Sequence, residues 1–174
     1  ADKDGGNDAW QISKDTSTFR SVRQVISSSG VQTFSVYAKA GTLTDMSLRI
    51  DGSSTAILDF DLTNGTFLSS SGTYITYDIE SVGSGWYRFS VTYSDTNTNV
   101  HIYADRTGTT AGSIYIQNAQ LEYGTVATDY IATTTVAVSE GPVANLPRLD
   151  YSGGATCPSL LLEPSRTNLV TQSE

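Results

Sequence analysis

Hydrophobic and polar positions alternate along most of this chain, most cleanly over Gly85-Trp86-Tyr87-Arg88-Phe89-Ser90-Val91-Thr92-Tyr93. Tyr87, Phe89, Val91 and Tyr93 point one way and Trp86, Arg88, Ser90 and Thr92 the other, which predicts a central antiparallel strand with one core face. Turn formers bound it, Val82 to Gly85 before and Ser94 to Asn99 after. The same period recurs along the chain. Trp10 to Ile12 reads as a short strand and Phe19 to Ser27 as a second, followed by a turn at Ser27-Ser28-Ser29-Gly30. Phe34, Val36 and Ala38 then face inward, with Thr33, Ser35, Tyr37 and Lys39 outward. Met46, Leu48 and Ile50 form the next inward row, and Ala56, Leu58, Phe60 and Leu62 another. Asp51-Gly52 and Asn64-Gly65 close these two, and both dipeptides favour hairpins. Further on, Ile75, Tyr77 and Ile79 oppose Tyr74, Thr76, Asp78 and Glu80, and Val100 and Ile102 oppose His101 and Tyr103. In the last strand, Gly112 to Tyr123, Ile114 and Ile116 face one way but Ala119 and Leu121 the other, which predicts a bulge near Asn118. No segment has helical periodicity.

Short strands spaced by polar turns predict an all-β protein built as a two-sheet antiparallel sandwich. At 174 residues the chain is long enough for one core. Only 16% of residues are charged, and Tyr outnumbers Phe and Trp, which fits strands. The net charge of -8, with ten Lys and Arg spread singly, offers no basic stripe for phosphates, so nucleic acid is not expected as a partner. No apolar run reaches the roughly 18 residues of a membrane span, and no membrane insertion is expected. The single cysteine, Cys157, rules out an internal disulfide and any Cys-based metal cage.

Catalysis has little to rest on. Asp59 with Asp61, and Asp78 with Glu80, are same-face pairs about 6.6 Å apart along a strand, a spacing that overlaps that of inverting glycosidases. No apolar residue flanks either pair to raise one pKa, so they read as solvated strand faces. His101 is the lone histidine, and no Gly-x-Ser-x-Gly turn or neighbouring cysteine supplies it with a nucleophile. The expectation is a protein that is not an enzyme. Asp2, Asp4 and Asp8 in the acidic opening are candidate ligands of a structural calcium ion, against the simpler reading of a frayed terminus. No other cofactor is expected.

Three stretches carry a resemblance. Phe34-Ser35-Val36-Tyr37-Ala38-Lys39-Ala40-Gly41, Gly85-Trp86-Tyr87-Arg88, and Ile116-Gln117-Asn118-Ala119-Gln120-Leu121-Glu122-Tyr123-Gly124 with Ala127-Thr128-Asp129-Tyr130-Ile131 together resemble the β-jelly-roll carbohydrate-binding domains of bacteriophage tail and fibre proteins. The resemblance covers about residues 19 to 135 and implies a jelly-roll binding domain over 1–135, a polysaccharide or cell-surface glycan as partner, and an extracellular or virion location. In such domains an extra N-terminal strand precedes the Asp/Gly-rich segment, so one sandwich edge is expected to stand vacant here. Residues 136–174 form an extended tail resembling the junction to a next module. Pro142, Pro147, Pro158 and Pro164 bar a continuous helix, yet Leu160 to Leu162 and Leu169-Val170 are too apolar to stay free. Leu160 to Leu162, or Leu169 to Thr171, is expected to fill the vacant edge, in this chain or in a neighbouring copy. The alternative reading is a structural spacer of a phage fibre without its own ligand.

Sugar rings stack their C–H faces on aromatic side chains while their hydroxyls bond to planar polar groups. The outward set that meets this need is Tyr37, Lys39, Trp86, Arg88, His101, Tyr103, Tyr115 and Gln117, provided their strands share a sheet. Tyr37 and Tyr103 are the expected stacking rings and Arg88 the hydrogen-bonding anchor, while Trp86 serves equally well as a cap on the core.

Overall fold

The computed structural model describes residues 2–140, 148–150, 159–161, 166–168 and 170. Every regular element among them is a strand: β1 (Trp10–Lys14), β2 (Ser21–Ala40), β3 (Asp45–Gly52), β4 (Thr55–Asp61), β5 (Thr66–Gly72), β6 (Thr76–Gly83), β7 (Trp86–Ala104), β8 (Gly112–Tyr123) and the short β9 (Val138–Glu140), β10 (Arg148–Asp150), β11 (Ser159–Leu161) and β12 (Arg166–Asn168). The first eight form one antiparallel sheet in the order β1-β8-β2-β7-β3-β4-β5, with β6 also paired to β7. The all-β, antiparallel expectation holds.

Two long strands organise the sheet. β2 and β7, 20 and 19 residues long, pair with each other along almost their whole length. The first part of β7 lies between β2 and β6, and its second part between β2 and β3. The sheet therefore curls into two halves, β6-β7-β2-β8-β1 and β2-β7-β3-β4-β5, that share the same two strands.

The turns expected at Ser27–Gly30 and Ser94–Asn99 do not form. Instead the register of β2 on β7 shifts between Val25 and Ser28, and Gly30 takes a φ of 97°. These polar runs supply a buried cluster at the bend. Gln32 Oε1 accepts hydrogen bonds from Ser28 Oγ at 2.7 Å, Asn97 Nδ2 at 3.0 Å and Tyr93 OH at 3.3 Å. Burial pushes the Tyr93 phenol well above its usual range. β5, with the sequence Thr66-Phe67-Leu68-Ser69-Ser70-Ser71-Gly72, was not expected as a strand because it lacks apolar alternation.

The inward rows pack as predicted, with Val36, Met46, Leu48, Leu58, Phe60, Phe89, Val91 and Ile114 fully buried in one cluster. Full burial of each such side chain is worth about 1.5–3 kcal/mol. Rings fill the gap between the halves at the β5/β6 edge. Phe67 stacks on Tyr77 at 4.5 Å and 12°, and Phe60 meets Phe67 at 6.2 Å and Phe89 at 4.9 Å. Gly65 turns the β4–β5 hairpin at a φ of 61°, where a Cβ would come within 2.2 Å of the Tyr87 ring.

The opposite edge is open. β2 pairs with β8 only from Gln32 onward, and β1 pairs with β8 alone. Over Ser21–Ser28, β2 thus has no partner on its β8 side among the described residues. Val170 reaches this end of the core, 7% exposed, and its carbonyl accepts a hydrogen bond from Thr133 Oγ1 at 2.6 Å. β11 pairs with β10 and β12 with β9. Of the tail residues expected to dock, Leu162, Leu169 and Thr171 lie outside the described residues.

Candidate functional site

The register gathers six of the eight expected site residues on one outer face. Trp86, Lys39 and Tyr115 form a cross-strand row that continues to Gln11 of β1. Arg88, Tyr37 and Gln117 form the next row, with Glu80 of β6 beside Arg88. His101 and Tyr103 sit on the other half of the sheet, His101 between Arg23 and Arg49 and Tyr103 between Ser21 and Ser47. The eight therefore do not converge on one surface, because β7 carries its two ends into different halves.

Outward does not mean exposed here. Trp86 is 1% exposed, Tyr103 3%, Gln117 7%, and Arg88 and His101 8% each, which corrects the expectation of open stacking platforms at Trp86 and Tyr103. Residues 124–131 fold back over the face. Thr33 Oγ1 donates to the Gly124 carbonyl and Thr92 Oγ1 to that of Thr125. Arg88 gives Nη2 to the Thr128 carbonyl and to Ser35 Oγ, so the expected ligand anchor holds the chain's own segment. Glu122 completes the clasp, accepting from Gln120 Nε2 and the Thr128 N–H at 2.8 Å each, while Gln120 Oε1 accepts from the Ile131 N–H at 2.7 Å. The Gln-Leu-Glu stretch that carries much of the resemblance is thus a structural clasp. The N-terminal loop covers the next strip, with Lys3 Nζ 4.7 Å above the half-buried Tyr37 ring and Arg88 5.2 Å from it. Lys39 gives its ammonium to the Ser84 carbonyl, and Tyr115, 36% exposed, is the most open of the set.

The open edge holds a better-formed site. Trp10, at 63% exposure, stands at the mouth of a cleft of about 700 Å³ between β1 and the first part of β2. Ile12, Phe34, Val100, Ile102 and Ile116 line it, with Gln11, Arg23, Gln24, Gln117 and Asn118 adding polar groups. A second hollow, of about 740 Å³, shares Trp10, Gln117 and Asn118 and is walled by Asp4, Asn7 and Asp8. Asn118 takes a φ of 53° and marks the bulge that the sequence predicts. Gln117 Oε1 accepts from the Lys3 N–H at 3.3 Å, and its Nε2 has no hydrogen-bond partner among the described residues.

No protein-family model matches this chain, and no curated protein matches it. The chemistry of its groups must be read from their own geometry. Asp2 is buried and its carboxylate accepts from the backbone N–H groups of Asp8 at 3.0 Å, Gly6 at 2.6 Å and Asp4 at 3.0 Å. Those donors, Asp8 first, hold its carboxyl below the usual range and close the loop as an ion would. Asp4 pairs with Lys3 at 2.6 Å, and Asp8 faces the second hollow. Among the described residues no three His, Cys, Asp or Glu side chains are grouped to hold a metal. Asp59 accepts from Ser47 Oγ and Ser69 Oγ at 2.6 Å each, and Asp61 from the Thr63 N–H and Asn64 Nδ2.

His101 does have a hydroxyl neighbour, contrary to the sequence expectation. Ser21 Oγ lies 3.1 Å from Nδ1, and Asp51 Oδ2 lies 3.0 Å from Nε2. Burial, then the charges of Arg49 and Arg23, outweigh Asp51 and lower the His101 pKa. Partial burial pushes the Asp51 carboxyl up, but Arg49 and His101 more than offset it. The neutral imidazole therefore donates Nε2–H to Asp51 and accepts the Ser21 hydroxyl at Nδ1, with its ring stacked on Tyr103 at 5.7 Å and 11°.

Proposed function

We propose that this chain is a non-catalytic polysaccharide-binding module that holds a glycan across Trp10. The observation that carries the reading is the indole ring, exposed at 63% where two hollows meet, with amide groups of Gln11, Gln117 and Asn118 around it. A sugar ring stacking there buries its C–H face on the indole and finds donors and acceptors for its rim hydroxyls. The resemblance of the Phe34 to Gly41, Gly85 to Arg88 and Ile116 to Ile131 stretches to phage tail and fibre domains supports the same reading, with the curled sheet taken as the two layers of a jelly roll and the protein as extracellular or part of a virion. The edge of β2 over Ser21–Ser28, without a partner on its β8 side among the described residues, favours a second reading, a spacer that takes a strand from a neighbouring module or copy.

Retardation gels against soluble and insoluble polysaccharides, with reducing-end release measured on the same samples, separate these readings. A retarded band with no released ends is expected for the module. Trp10→Ala is expected to weaken retardation by roughly 5- to 150-fold, the effect of losing about 1–3 kcal/mol. Its melting midpoint should stay within about 1 °C, because an exposed side chain contributes little to the core. Undiminished retardation of the variant removes the site, and released ends remove the non-catalytic reading.

A further inference from the structure

Arg23 is the one arginine, among the described side chains, with neither a hydrogen bond nor an ion pair. Arg20 pairs with Asp15, Arg49 with Asp51, Arg106 with Asp59, and Arg88 bonds to Ser35. Arg23 is exposed, is one of the residues lining the cleft at Trp10, and stands in register with His101, which has Arg49 on its other side. The fold thus sets three basic side chains from β2, β7 and β3 in one row, although the sequence scatters them. Asp51 answers the charge of Arg49 at 2.7 Å and holds His101, which leaves Arg23 as the uncompensated cation of the row.

The far side of Trp10 has the opposite sign at Asp8, which walls the second hollow beside Asp4, whose charge Lys3 answers at 2.6 Å. A ligand lying across the indole therefore meets a cation at one end and a carboxylate at the other. In a chain of net charge -8, a free guanidinium beside a cleft is a local exception to the repulsion an anion would meet elsewhere. The planar guanidinium fork matches a carboxylate through two parallel N–H···O bonds.

Resting on the glycan reading above, we propose that the ligand is an acidic polysaccharide of the uronic-acid type, with Arg23 taking a sugar carboxylate while a neighbouring ring stacks on Trp10. The hydroxyl-bearing part of the chain lies toward Asp8, whose oxygens accept from hydroxyls and repel further carboxylates. The acidic groups are therefore bound at one end of the site, and a chain alternating acidic and neutral sugars fits it better than a uniform polyanion.

The test uses a polyuronate, the same polymer with its carboxyls reduced to hydroxymethyl groups, and a sulfated neutral polysaccharide, in affinity gels at low and high salt. The wild-type chain is expected to prefer the polyuronate over its reduced form by roughly tenfold at low salt, and by less at high salt. Arg23→Gln should abolish that preference, whereas Trp10→Ala should weaken binding of both polymers. Equal binding of the two polymers by the wild type overturns the acidic assignment, and a preference that survives in Arg23→Gln overturns the role of Arg23; either leaves the glycan site standing. A preference for the sulfated polymer over the polyuronate overturns the carboxylate. Absence of retardation by every polymer overturns the glycan reading and the inference together.

Discussion

At the β5/β6 edge the two halves of the sheet meet through rings, with Phe60, Phe67, Tyr77 and Phe89 in mutual contact. At the β1/β2 edge they stay apart, separated by a cleft lined by Ile12, Phe34, Ile116 and Val170, with one exposed indole at its mouth. The closed edge derives its stability from apolar contact between strands close in sequence. The open edge lacks that contact, and the strands beside it are held from outside, by the polar clasp that Glu122, Gln120 and Arg88 make with residues 124–131. In such a sheet the cohesion is supplied at one edge and across an outer face, and the other edge carries less of it.

Truncation at the closed edge should have the largest effect. Phe60→Ala is expected to lower stability by about 3–5 kcal/mol, since it empties a fully buried position at the centre of the ring cluster. Thermal melts read it, and a loss no larger than that of Trp10→Ala would break the comparison. Glu122→Ala should come next, at about 1–3 kcal/mol, because it leaves the Thr128 N–H without its acceptor and the Gln120 amide with its longer bond to the Asp129 carbonyl. Limited proteolysis should then cut near residues 125–131, and an unchanged digestion pattern would mean the segment is held by something other than the clasp.

The smallest effect is that of pH, and it should act through the row beside the open edge. His101 has a depressed pKa in the folded chain, so below the unfolded value of about 6.5 the unfolded chain binds more protons. Stability should therefore be flat above about pH 6.5 and fall as the pH drops through that value towards the lower folded one. Asp51 and Asp95 are held below their usual range, so their contribution is present above about pH 4 and is lost as the pH falls further. His101→Gln should remove the first fall in a series of melts and leave the second. A first fall that persists in this variant would place its origin elsewhere.

Much of the fold was legible from alternation. The inward rows at Phe34, Met46, Ala56 and Val100, the hairpins at Asp51-Gly52 and Asn64-Gly65 and the bulge at Asn118 all stand where period-2 reading puts them. Ser27–Gly30 and Ser94–Asn99 misled because small polar residues favour turns and also satisfy a buried bend, and local sequence does not separate the two uses. The site was less legible. Alternation correctly set Trp86, Arg88 and Tyr37 on one outer face, but it carries no information on what a later segment will cover. Residues 124–131, without any alternation of their own, removed that face from solvent. Trp10 lay in plain view as the start of a short strand. What makes it a candidate is that β1 and β2 do not pair, and the lack of a contact leaves no trace in the pattern of either strand.

The pairing of Trp10 with Ile116 and of Lys14 with Gly112 also has a consequence for folding order. The β3–β4, β4–β5 and β6–β7 hairpins close over a few residues each, so the ring-packed edge can form early and locally. β1 closes over a loop that spans most of the described chain, and the entropy of closing it is set against a five-residue ladder, the burial of Ile12 and the bonds from Lys14 Nζ to the Asp105 and Gly108 carbonyls. The wall that carries Trp10 is therefore the last piece to arrive. Until it docks, the apolar floor of the cleft and one side of β8 face water together, an exposed edge of the kind through which incompletely folded sheets aggregate.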